Sequence, residues 1–250
     1  MTSVVDLAGL SNAVYDDSNV KVGNWLRIGL PFTVRGSGFK SALFKDVQSN
    51  DFALAIAGTD PTDIDDLKSD AQIAFGNVPN QLRVARSAYH SVETVSGGLQ
   101  KFYITGHSLG GGLASMLCKE HGEPCVTFNA PGMARSFASL QKIEPGVSAV
   151  EDSDRKVLHI RAAFDVVSKG TGRHMGNNAV QSVNTSPVGK KEVLAGAATA
   201  VWAGPAAGAS VTAGMAAFKA HGIARLIPVL KQKPEYNKDC LLYTSDAADE

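Results

Sequence analysis

Apolar positions in VVDLAGLSNAVY (residues 4–15) recur every three or four residues, the spacing that gathers side chains on one helix face. Two denser apolar runs follow, SALFKDV at 41–47 and FALAIAG at 52–58, separated by the turn-forming QSND, and both predict strands. Residues 80–95 return to the helical period, and the aromatic, β-branched run KFYIT (101–105) predicts a strand after them. LGGGLASMLCKEHG, beginning at Leu109, predicts a helix that stops at Gly122. Beyond it PCVTFNA (124–130) predicts a strand, RSFASLQKI (135–143) a helix, KVLHIRA (156–162) a strand and AVQSVNT (179–185) a short outer strand. Strands alternating with helices predict an α/β fold with a mostly parallel central sheet flanked by helices, in one domain over residues 1–239.

One stretch does not fit either period. Residues 193–218, VLAGAATAVWAGPAAGASVTAGMAAF, carry no charge over 26 positions. That length suffices for a membrane span, but alanine and glycine dominate and Pro205 interrupts it. The expectation is a buried or semi-flexible small-residue segment, with a membrane-docking flap and a true span as the alternatives.

Composition narrows the picture further. Lys plus Arg and Asp plus Glu both number 24, so no net field draws the chain to nucleic acid or anionic lipid. Three cysteines, Cys118, Cys125 and Cys240, do not make a disulfide framework. The first residues, MTSVVDLAGLSNAVYDD, lack a basic region followed by a long apolar one. A secretory signal is not expected, which leaves a cytoplasmic protein or one exported by another route. The tail CLLYTSDAADE (240–250) resembles the translated end of a transposase-type sequencing adapter and is left out of the fold expectation; native sequence is expected to diverge after about Asp239.

Candidate chemistry centres on Gly106-His107-Ser108-Leu109-Gly110. In G-x-S-x-G the glycines leave room for a sharp strand-to-helix turn that lifts the serine hydroxyl above the sheet. The predicted strand before it and helix after it supply that context. A Walker-type phosphate loop would need Gly-Lys-Ser/Thr, and this loop has no lysine. A serine needs a base to take its proton and a carboxylate to orient the base. With chain order Ser, acid, His, the acid is Asp165, just past the strand KVLHIRA; Glu151, Asp152 and Asp154 precede that strand and suit a solvated loop. The base is His221 or His174, the two histidines beyond Asp165, with His221 preferred and His174 kept as the alternative. His90, His107, His121 and His159 read as packing or surface residues. Oxyanion donors are expected from the Leu109 amide and from Thr59, at the end of an earlier strand.

Taken together these residues resemble the class 3 lipase family, α/β-hydrolases that include fungal triacylglycerol lipases, and among them a bacterial or phage-like member. Its G-H-S-L-G matches residues 106–110 in full; its oxyanion loop and the following D-W-x-x-D resemble Gly58-Thr59 and Asp66-Leu67-Lys68-Ser69-Asp70. TFNAPG (127–132) is similar to a family strand end, and Ala220-His221 to the opening of its last helix. Ala57, Leu67 and Gly222 depart from the usual arginine, tryptophan and serine. The resemblance implies an α/β-hydrolase fold, a Ser108–Asp165–His221 triad, and hydrolysis of a lipid or other ester substrate through an acyl-enzyme. It further implies no metal or organic cofactor; the even charge balance argues against a nucleic-acid partner, and residues 193–218 leave a membrane-surface contact open. The competing expectations are a membrane-binding or membrane-disrupting effector acting through residues 193–218, and a non-catalytic hydrolase-fold binding protein.

Overall fold

A computed structural model describes residues 1–34, 37–58, 78–96, 101–163, 165–176, 180–185 and 222–240. Helix α1 (Val4–Ala13) starts on a capping box in which the Asp6 amide donates to Ser3 Oγ and the Ser3 amide donates to Asp6 Oδ2. These two bonds satisfy donors that the first helical turn leaves without intrahelical partners. Strands β1 (Lys21–Val22), β2 (Trp25–Val34), β3 (Phe39–Asp46) and β4 (Phe52–Ile56) then form an antiparallel run. From β4 the pairing turns parallel through β5 (Phe102–His107), β6 (Cys125–Phe128), β7 (Val157–Ala162) and β8 (Gln181–Val183). The eight strands lie in the sheet in chain order. The parallel steps are made by crossover helices α2 (Gln81–Ser96), α3 (Leu109–His121) and α4 (Ala134–Ile143), and a short α5 (Val166–Gly170) follows β7. Helix α6 (Ile223–Lys231) comes last.

Period-two alternation along the strands divides the core into two layers. Ala53, Ala55, Tyr103, Val126, Phe128, Leu158 and Ile160 face α1 and α6, where Leu7, Leu10, Leu226 and Leu230 complete one cluster. Leu54, Ile56 and Ile104 face the other way, against Leu82 of α2, Leu113 and Leu117 of α3, and Phe137 and Leu140 of α4. On β4 the small side chains all point toward α1, which lets the helix lie close over the strand. A buried polar contact fixes that seat: Ser11 Oγ on α1 lies 2.8 Å from Thr105 Oγ1 on β5, and Thr105 Oγ1 also donates to the Val126 carbonyl at 2.8 Å.

The central run of elements matches the sequence expectation to within a few residues, with β5 reaching His107. The pattern missed the β1–β2 edge. Along strand β2 the apolar residues Leu26, Ile28, Leu30 and Phe32 take every second position yet are exposed, so the alternation marks no buried face. Gly29 and Pro31 further disguise it; they lie where the β2–β3 register shifts between Ile28 and Phe32. Proline is tolerated there because an edge strand or bulge asks for no ladder donor. Among the described residues no helix is long and apolar enough to cross a membrane; residues 193–218 lie outside them.

Leu226 has no exposed surface and lies on the α6 face that packs against α1. Leu226→Ala is expected to lower unfolding free energy by about 2–5 kcal/mol, read from urea denaturation. A loss near zero would mean that α6 does not share the core with α1.

Candidate active site

The turn from β5 to α3 is built around one strained residue. Ser108 has φ 56° and ψ −133°, a conformation that costs a non-glycine residue on the order of 1–3 kcal/mol. It is held there from both sides. Its amide donates to the Phe128 carbonyl of β6 at 3.0 Å, and its own carbonyl accepts from the Gly112 amide at 3.1 Å. The flanking glycines are needed for space. A Cβ on Gly106 would lie 2.5 Å from the Gly110 carbonyl carbon and oxygen; one on Gly110 would collide with the Ile56 carbonyl oxygen and lie 2.5 Å from the Ala57 carbonyl carbon. Helix α3 therefore enters the gap between the ends of β4 and β6 as bare backbone, and its first amide, that of buried Leu109, follows the serine directly.

The end of β4 lies against this turn. A Cβ on Gly58 would come within 2.7 Å of the His107 carbonyl oxygen, 2.8 Å of Ser108 Cβ and 3.1 Å of the Leu109 amide nitrogen. The strand end that leads into the expected oxyanion loop is thus in van der Waals contact with both the serine and the donor beside it. Thr59, the next residue, and the Asp66–Asp70 motif lie outside the described residues.

Asp165 follows β7, two strands from β5. At about 4.8 Å per strand that is a lateral offset of about 10 Å, a gap that an imidazole hydrogen-bonded on both sides spans most of. Asp165 is fully buried and caps α5: its Oδ1 accepts from the Ser168 amide at 2.6 Å, and its own amide donates to the Ala162 carbonyl at 3.0 Å. Capping uses one carboxylate oxygen, so the residue is both a structural cap and a carboxylate at the strand end. Asn129, in the left-handed region at φ 49°, ties this end of β7 to the end of β6. Its Oδ1 accepts from the Ala162 amide at 2.7 Å and its amide donates to the Ile160 carbonyl at 2.8 Å. Sequence reading passed over Asn129, although it lies within the TFNAPG strand end.

Of the two candidate bases, His174 is described and His221 is not; Gly222, the residue after His221, is the N-cap of α6. His174 is engaged elsewhere. Its Nε2 lies 3.0 Å from the Ser168 carbonyl oxygen and 3.1 Å from Ser168 Oγ, and its ring packs on that of His159 with centroids 4.6 Å apart. His159 is buried in turn between Thr127 Oγ1, 2.6 Å from Nδ1, and the Met175 carbonyl, 2.8 Å from Nε2. Burial lowers His174, and burial with His174 alongside pushes His159 down to about 3. Among the described residues no group of three His, Cys, Asp or Glu side chains gathers as a metal centre.

A serine at positive φ between a parallel strand and a helix, with an acid after a later strand of the same sheet, lies here on a mostly parallel sheet flanked by helices, the α/β-hydrolase fold. Residues 6–217 match the family described as phospholipase-like, with a Tle-like phospholipase domain, and the chain belongs to that family. It is 36% identical over 135 residues to the extracellular phospholipase A1 of Serratia liquefaciens, a match covering 53% of this chain and 40% of that protein. A shorter match to the putative lipase ATG15 of Eremothecium gossypii is 60% identical over 70 residues, 28% of this chain and 12% of that protein. The chain thus spans less than half the length of these relatives. Among solved structures it is similar to the Lip2 lipase of Yarrowia lipolytica (20% identity, TM-score 0.47, 73% of this chain and 77% of that one). A triacylglycerol lipase from Penicillium expansum gives 13% identity and a TM-score of 0.47 over 73% of this chain and 79% of that one.

Gly110→Ala is expected to unfold the elbow or abolish its reactivity, because the added carbon meets β4 backbone that cannot move aside. Labelling of Ser108 by a fluorophosphonate probe, with circular dichroism as the folding check, reads this out; full labelling would contradict the packing. A second expectation concerns acid. Both His159 and His174 are neutral in the folded chain near neutral pH, whereas histidines of the unfolded chain take up protons below about 6.5. The native state then binds fewer protons than the unfolded one, so stability falls as pH drops from about 6.5 toward about 3. The loss from His159 alone is about 1 kcal/mol per pH unit, and His159→Gln is expected to flatten that slope in urea titrations.

Proposed function

We propose that the chain is a serine hydrolase cleaving carboxylic esters of lipids, phospholipids foremost, through a Ser108–Asp165–His221 triad. The observation that carries this reading is the strained, buried Ser108 at φ 56°, held by β6 on one side and crowded by β4 on the other. Strain of this kind persists only where surrounding structure over-determines it, and it concentrates at reactive residues. Membership of a phospholipase-like family and similarity to a protein named as a phospholipase A1 supply the substrate class.

In this mechanism the Ser108 hydroxyl oxygen attacks the ester carbonyl carbon while His221 takes the hydroxyl proton. The carbonyl π pair moves onto oxygen, where the Leu109 amide and Thr59 donate to it. Collapse of the tetrahedral species breaks the ester C–O bond, and the imidazolium returns its proton to the leaving alcohol. A water molecule then repeats the sequence on the acyl-serine, releasing the carboxylic acid and restoring the serine. Asp165 orients the imidazole and offsets its positive charge without taking the proton. Engagement of His174 Nε2 by Ser168 supports His221 as the base.

The test is turnover of a short nitrophenyl ester and of a phospholipid, beside labelling of Ser108. Ser108→Ala and His221→Ala are each expected to lower kcat by about 10⁴-fold or more, and Asp165→Asn by about 10⁴-fold. His174→Ala is expected to change kcat by less than about tenfold, through stability alone. Loss of turnover in His174→Ala with activity retained in His221→Ala would reverse the assignment of the base.

A further inference from the structure

Tyr15 is the second residue past the end of α1, and no catalytic motif contains it. Its hydroxyl nevertheless lies between the two strand ends that form the site. The Gly58 amide donates to Tyr15 Oη at 2.8 Å, and Oη lies 2.9 Å from Nδ1 of His107, the residue before Ser108. The rings of Tyr15 and His107 meet edge to face with centroids 5.8 Å apart, and His107 is buried. Apart from the phenol, the Tyr15 backbone is bonded separately: Lys40 Nζ on β3 donates to the Tyr15 carbonyl at 3.1 Å and pairs with Asp17 at 2.9 Å.

We propose that Tyr15 is a positioning residue for the hydrolase reading above, on which this inference rests, and that its hydroxyl locks the end of β4 at Gly58 to the turn that carries Ser108. An amide N–H only donates, so Oη accepts from Gly58 and its own proton is available to Nδ1 of His107. That bond leaves the His107 proton on Nε2, while the Gly58 bond holds the peptide between Ala57 and Gly58 at a fixed tilt. The distance of Gly58 from Ser108 and from the Leu109 amide is thereby set from a single atom. Oxyanion donors work by being aimed before charge develops, so displacement of Gly58 from Ser108 and the Leu109 amide costs transition-state binding rather than ground-state binding.

Three variants and one spectrum test this. Tyr15→Phe keeps the ring and removes only the shared oxygen; kcat on a nitrophenyl ester is expected to fall about 10- to 100-fold while KM stays within about twofold. Lys40→Met loosens the same chain segment without touching the hydroxyl, and its kcat is expected to stay within about twofold of wild type. Histidine at position 15 restores a group that both accepts and donates, and Tyr15→His is expected to recover part of the lost kcat. Imidazole nitrogen NMR of the wild type is expected to show His107 protonated at Nε2, with Nδ1 as a hydrogen-bond acceptor, and to lose that signature in Tyr15→Phe. An unchanged kcat in folded Tyr15→Phe, an equal fall in Lys40→Met, or a His107 protonated at Nδ1 would each overturn the proposal. A wild-type protein that neither turns over esters nor labels at Ser108 would overturn the hydrolase reading and this inference together. Should Tyr15→Phe not fold, the NMR of the wild type still decides the hydrogen-bond arrangement, and an Nδ1-protonated His107 rejects it.

Discussion

The φ of 56° at Ser108 is the constraint around which the rest of the site is arranged. A serine does not stay in that conformation by its own preference; two backbone bonds and a ring of glycine contacts keep it there. Because α3 enters the sheet as bare backbone, the strand end, the serine and the first helical amide occupy one small volume. The same closeness ties the position of the serine hydroxyl to folding. Any side chain added at the contact must push β4 and α3 apart, and that motion relaxes the serine as well.

Around this point the fold gives each strand end a separate duty. β4 brings Gly58 against the serine, β5 carries the serine, β6 anchors its amide through Phe128, and β7 leads to Asp165. Asn129 and the α5 cap make the last two ends into one unit, since the Ala162 amide, the Ala162 carbonyl and one carboxylate oxygen of Asp165 are bonded locally. Helix α1 braces the other side. Its seat on β4 and β5 depends on alanines at 53 and 55 and on the Ser11–Thr105 contact, and from that seat Tyr15 reaches the site.

Much of this was legible before any coordinates. The parallel run from β4 to β7 was marked by apolar strands buried on both faces and by helices of clear period, the strongest patterns a sequence offers. The expectation at Ser108 and Leu109 rests on glycine spacing, and the crowding at Gly106 and Gly110 is the part of it seen in the fold. Asp165 lies after a strand as its place in the sequence suggests, and there it caps α5. Tyr15 had no local signature: its partners lie 43 and 92 residues away, and contacts of that range leave no periodic trace. The β1–β2 edge escaped for a different reason. Its apolar residues alternate without being buried, and its glycine and proline read as loop punctuation.

That edge has a further consequence. With Leu26, Ile28, Leu30 and Phe32 exposed, β2 has the side chains of a strand ready to recruit another chain. Templated pairing needs an unbroken row of donors and acceptors as well as apolar side chains, and Pro31 removes one donor where the register already slips. β1 covers only Trp25 and Leu26 at the other end. A single imino acid thus lets the sheet keep an oily border in water while denying it the regular ladder on which cross-β growth would propagate.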